Sequence, residues 1–164
     1  IQGLEKNLFS QQSGGFDQAK ADSLLTMYQA FIKKNPTDTL SPGFLFKAAN
    51  LAMNSENGPK ALELFDQYMK EYPDGPKAAL CLFFKAFIYE NKTRNLDMAR
   101  ETYLLFIEKY PNDDFANDAK LALVNLGKTP EMIIREFEEK NRADSARIAD
   151  SLATASKKAK HRKS

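Results

Sequence analysis

Residues 96–127 read LDMARETYLLFIEKYPNDDFANDAKLALVNLG, and the fold class turns on this stretch. Apolar side chains at Leu96, Ala99, Tyr103, Phe106, Ile107 and Tyr110 recur in steps of three and four, the spacing that lines one face of a helix. Pro111 ends that helix, because its ring clashes with the preceding turn and it has no N–H to donate. Phe115, Ala119, Leu123 and Leu126 repeat the period and stop at Gly127, a residue suited to a left-handed C-cap. The stretch therefore reads helix, turn, helix, and it occurs more than once.

Three segments lie under one another: SLLTMYQAFIKKNP (23–36), KALELFDQYMKEYP (60–73) and MARETYLLFIEKYP (98–111). An aromatic stands eight residues before the proline each time (Tyr28, Phe65, Tyr103), and another five before it (Phe31, Tyr68, Phe106). Ile32, Met69 and Ile107 stand four before it, and the prolines are 37 and 38 residues apart. Lys47-Ala48 and Lys85-Ala86 place each alanine thirteen residues before Ala61 or Ala99, and Asn57 aligns with Asn95. A period of this size with two helices per unit predicts a helical solenoid.

The rest of the chain fits that plan. Helices are predicted over about 16–35, 42–54, 59–72, 77–90, 96–110, 114–127 and 130–139, within a repeat domain at 16–139. Ser41-Pro42-Gly43 and Asn57-Gly58-Pro59 are helix entries with proline in the first turn. ALCLFFKAFIY (79–89) is apolar nearly all round, which predicts the most buried helix. Residues 1–15, ending in Ser13-Gly14-Gly15, predict a flexible arm. Thr129-Pro130-Glu131 predicts a capped helix start, from which Ile133, Ile134 and Phe137 would close the open end of the solenoid. Residues 140–164 predict a projecting helix and basic tail. There Ile134, Phe137, Asn141, Ser145, Ile148 and Leu152 are spaced like a short coiled-coil seam with two polar members, so self-association through 130–156 is an alternative to a frayed end.

Composition excludes several function classes. The 164 residues carry a formal net charge of +2, but the last eight, KKAKHRKS, hold five Lys/Arg and no acid. Residues 1–156 thus carry 19 Lys/Arg against 22 Asp/Glu, a net of −3, which makes the body a poor nucleic-acid surface. Only the tail suits anionic lipid or nucleic acid. The one cysteine, Cys81, sits in an apolar run and reads as a buried thiol, and the one histidine, His161, lies in the tail. One Cys and one His supply neither a His-based triad nor a zinc site. Gly14-Gly15 lacks the strand, lysine and helix of a phosphate loop, and the pairs Asp113-Asp114 and Glu138-Glu139 read as solvated surface. No enzyme activity and no cofactor or metal is expected.

The order small residue, aromatic four later, proline twelve after the small residue (Ala61, Phe65, Pro73; Ala99, Tyr103, Pro111) resembles the second helix of the tetratricopeptide repeat. The first copy has Leu24 in the alanine position and resembles a capping half-repeat. LFKAANLAMN, FIYEN and FANDAKLALVNLGKTPEMIIREFE look especially like tetratricopeptide proteins of the Gram-negative envelope, those associated with the Tol-Pal system and with outer-membrane protein assembly. The resemblance implies an all-α, right-handed solenoid of antiparallel helix pairs, ended by a capping and projecting helix. It also implies a non-enzymatic scaffold that holds a protein or peptide in its concave groove. The implied setting is periplasmic or membrane-anchored, with any signal or lipid anchor upstream of Ile1; the alternative is cytoplasmic. Groove candidates from the first helix of each unit are Lys47, Asn50, Asn54, Lys85, Ile88, Asn91, Asn117 and Lys120. Lysines and asparagines on one groove suit a peptide carboxylate or backbone.

Overall fold

The computed structural model describes residues 17–161, with side chains through 155; the expected arm at 1–15 lies outside them. Among the described residues there are seven helices and no strand: α1 (Gln18–Lys34), α2 (Ser41–Asn54), α3 (Gly58–Glu71), α4 (Ala78–Asn91), α5 (Leu96–Lys109), α6 (Ala116–Asn125) and α7 (Pro130–His161). Within α1 to α6 each helix packs on its neighbour in sequence, α1 on α2 through α5 on α6, giving an all-α solenoid of tetratricopeptide-like helix pairs. This compact unit closes at Leu126, and α7 belongs to a second unit that begins at Gly127. Residues 130–139, expected inside the repeat domain, therefore belong to the second unit. Between Glu131 and His161 there is no glycine or proline, and α7 runs through Glu139 without a break.

One turn builds the first unit three times. Asn35, Tyr72 and Tyr110 each precede a proline, which disfavours helical backbone, and all three leave the helix near φ −130°, ψ 60°. Their N–H groups donate to Phe31, Tyr68 and Phe106 carbonyls, and their own carbonyls accept from Asp38, Gly75 and Asp113. The carbonyls of Asp38, Gly75 and Asp113 in turn accept from Ser41, Ala78 and Ala116, the first residues of α2, α4 and α6. The return junctions repeat as well. Asn57 and Asn95 side chains cap α3 and α5 by accepting from Lys60 and Met98 N–H, and Glu56 and Arg94 just before them take positive φ of 59° and 55°.

These hydrogen bonds correct the register. Ser41 corresponds to Ala78 and Asn54 to Asn91, a step of 37, so the extra residue of the 38-residue step lies in the loop after α4. Lys85 consequently stands at the register of Ala48, not of Lys47.

The core forms two clusters that share α4. Cys81 and Ile88 pack with Leu24, Leu45, Phe65 and Tyr68, while Leu82 and Ala86 pack with Tyr103, Phe106 and Ala119. Aromatic rungs repeat with the turn: Phe46 meets Phe65 and Tyr68, and Phe83 meets Tyr103 and Phe106. Although α4 is apolar nearly all round, it is not wholly buried. Phe87 on it remains exposed, because it faces away from both clusters.

The middle turn solves one local problem differently from its neighbours. Asp38 and Asp113 carboxylates accept the N–H two residues on, from Leu40 at 2.8 Å and Phe115 at 3.0 Å. Gly75 has no side chain to do this, and the Tyr68 hydroxyl accepts from Lys77 N–H instead, at 3.3 Å. Both flanking copies have phenylalanine (Phe31, Phe106) where Tyr68 stands. A Cβ on Gly75 would come within 2.7 Å of that hydroxyl, the closest of its contacts, with the Tyr72 carbonyl oxygen and Cβ next at 3.0 and 3.1 Å, so the tyrosine hydroxyl is the main reason for glycine here.

This exchange predicts strong coupling in a denaturant-unfolding cycle. Tyr68→Phe leaves the Lys77 N–H unpaired and is expected to cost about 1 kcal/mol. Gly75→Asp forces its side chain against the hydroxyl and is expected to cost about 1–3 kcal/mol. The double variant rebuilds the arrangement of the outer turns and should lie within about 0.5 kcal/mol of the parent; additive losses would refute the exchange.

Candidate functional site

α2, α4 and α6 are the first helices of their pairs, and a cleft of about 350 Å³ opens between α4 and α6. Phe83 and Phe87 of α4, Tyr103 of α5, and Leu121 and Ala122 of α6 form its apolar lining. Glu90, Asn91, Asp118 and Asn125 supply its polar groups, and among the described residues no lysine or arginine lines it. Phe87 is 39% exposed and Leu121 is 61% exposed, so two large apolar side chains border an open space.

The cleft is held firmly at its floor. Tyr103 is buried, and its hydroxyl donates to Glu90 Oε2 at 2.9 Å. Burial, followed by the bond to the Glu90 carboxylate, pushes the Tyr103 phenol above its ordinary range, so it stays a neutral donor. Phe83 is fixed by Tyr103, Phe106 and Phe115, with ring centroids at 5.9, 5.5 and 4.9 Å. Asn91 Nδ2 donates to the Phe87 carbonyl at 3.1 Å, which closes the last turn of α4.

Of the eight residues expected to face a groove, only Asn91 lines this cleft. Lys47 and Asn54 are exposed and Asn50 half-buried on α2, with the Lys47 ammonium 5.7 Å from the Phe44 ring centre. Asn117 and Lys120 are exposed on α6. Lys85 is ion-paired with Asp66 of α3, so its charge is directed to the neighbouring helix. Ile88 is a correction: it is fully buried in the first cluster and approached by Gly58, because its step along α4 points into the core and not along the outer face. The expectation of a lysine-lined groove for carboxylates therefore does not describe the α4–α6 cleft, whose charged groups are acidic.

Glu90, Asp118, Ala122 and Asn125 escaped the sequence reading because each looks ordinary alone. The usable signal is the repeat register: Ala122 stands under Phe84, and Asn125 under Phe87.

The chemistry of a nucleophile is missing at Cys81. Burial pushes its thiol up to about 12, and it belongs to the core between helices. Among the described residues no group of three His, Cys, Asp or Glu could hold a metal ion, and no helix is long and apolar enough to cross a membrane.

A family model for the tetratricopeptide repeat matches residues 79–113, which covers α4, α5 and the turn after it. No curated protein matches the chain. The match supports a tetratricopeptide-like protein, and repeats of that type are generally non-catalytic and bind protein partners.

Cys81 gives a direct check on the packing. In the native chain at pH 8 it should remain unmodified by a soluble disulfide reagent while the urea-unfolded chain reacts fully. Fast native labelling would show that the helices around it open.

Proposed function

We propose that the chain is a non-enzymatic adaptor that holds a segment of another protein on the face formed by α2, α4 and α6. The observation that carries this reading is the α4–α6 cleft, where Phe87 and Leu121 border a rigid, tyrosine-floored space in a repeat type that binds proteins. Its setting in this proposal is the cell envelope, periplasmic or membrane-anchored. Support for the setting comes from the likeness of LFKAANLAMN and FANDAKLALVNLGKTPEMIIREFE to envelope tetratricopeptide proteins of the Tol-Pal and outer-membrane-assembly type.

One observation favours a second site. Within its own unit α7 exposes Ile134, Phe137, Ile148 and Leu152, as a helix does when it pairs with a partner helix or a second copy.

Crosslinked affinity capture from the native organism tests both. Phe87→Glu and Asn54→Arg, two exposed positions, should each remove most captured protein without lowering the thermal midpoint, while a chain ending at Glu139 keeps it. Partners lost only with the shortened chain would move the site to α7.

A further inference from the structure

In the α2–α4 layer, Phe84 lies stacked on Phe46, with centroids 6.3 Å apart and planes within 19°. One repeat on, Phe83 takes the place of Phe46, and the residue at the register of Phe84 is Ala122. The second neighbour of each ring is kept: Lys77 sits 5.5 Å from the Phe46 centroid, and its counterpart Phe115 packs on Phe83. Only the stacking ring is missing, and the cleft lies where it is missing, bordered by Phe83 and Ala122. The preceding repeat thus serves as a template for what fits.

We propose that the α4–α6 cleft receives an aromatic side chain of a partner protein, in the place that Phe84 fills in the preceding repeat, with a lysine or arginine beside it in the partner. The proposal rests on the adaptor reading above and specifies its ligand. The aromatic part follows from the geometry: Phe83 on the cleft lining, a fixed Tyr103 floor and space of about 350 Å³. The cationic part follows from charge. Among the described residues no basic side chain joins Glu90 and Asp118 in lining this space and none forms an ion pair with Glu90, whose Oε2 accepts from the Tyr103 hydroxyl. Asn91 and Asn125 offer amides to the partner backbone between the two anchors. The exposed Phe87 and Leu121 would then flank the inserted ring and shed water.

The test uses the full chain and three capped octapeptides that differ only in a central pair: Phe-Lys, Ala-Lys and Phe-Glu. In ¹H–¹⁵N spectra the Phe-Lys peptide is expected to shift amides in 83–91 and 118–125, and to bind about ten-fold more tightly than either of the others. Ala122→Phe, which supplies the missing ring internally, should abolish those shifts. Should that variant not fold, Asp118→Lys at an exposed position must reverse the preference toward Phe-Glu. Equal binding of Ala-Lys or Phe-Glu, shifts elsewhere, or no binding at millimolar peptide overturns the proposal. So does self-association that Ala122→Phe removes, since the cleft would then hold a second copy. Cellular capture that survives Ala122→Phe but is lost with Asn54→Arg overturns this inference alone and leaves the adaptor reading standing.

Discussion

The first unit depends on the hydrogen-bonded turn at Asn35, Tyr72 and Tyr110. A helix end leaves carbonyls without partners and the next helix start leaves N–H groups without partners. Here the two sets are joined through a relay of three backbone bonds, completed before any side chain is considered. The proline that follows each turn residue holds that residue out of the helical region, so the exit direction is the same each time. Helices that leave at one angle place their aromatic faces at one register, and the rungs at Phe46 and Phe83 follow.

Once the backbone relay is set, side chains can be exchanged between positions while the same need is met. The Tyr68 hydroxyl replaces the carboxylates of Asp38 and Asp113 as acceptor for a helix-start N–H, and Gly75 makes room for it. A reader comparing the copies one position at a time would see a conservative Phe-to-Tyr change and an unrelated Asp-to-Gly change. In space they are one event. The cleft has the same origin in reverse: a ring is removed at Ala122 and nothing nearby replaces it.

Much of the fold was legible in the sequence because periodicity and proline spacing act locally. The turn, the helix starts aligned at Asn57 and Asn95, and the six repeat helices could be read within a residue or two. Site residues were less legible, since exposure is decided by rotation about the helix axis and by which neighbours exist. Ile88 and Phe87 are adjacent in sequence, yet one is in the core and the other is not. Aligning Lys47 with Lys85 was off by one residue, about 100° of helix rotation. At Lys85 that rotation directs the ammonium to Asp66 instead of a groove. The boundary near Gly127 was not legible either, because apolar residues at 133–137 look the same in sequence whether they are buried or exposed.

The loop at 92–95 holds one residue more than the matching loop at 55–57, and the helices on both sides are undisturbed. A residue added within α4 or α5 would have turned every later side chain by about 100° and exposed the core face. Added here, between Asn91 and the Asn95 cap, it is absorbed by backbone that includes the left-handed Arg94. The solenoid therefore has a site of length tolerance just beyond the last turn of α4, outside the helices that carry its core. An inserted peptide tag or reporter loop belongs at that junction, where the chain itself already accommodates a change in spacing.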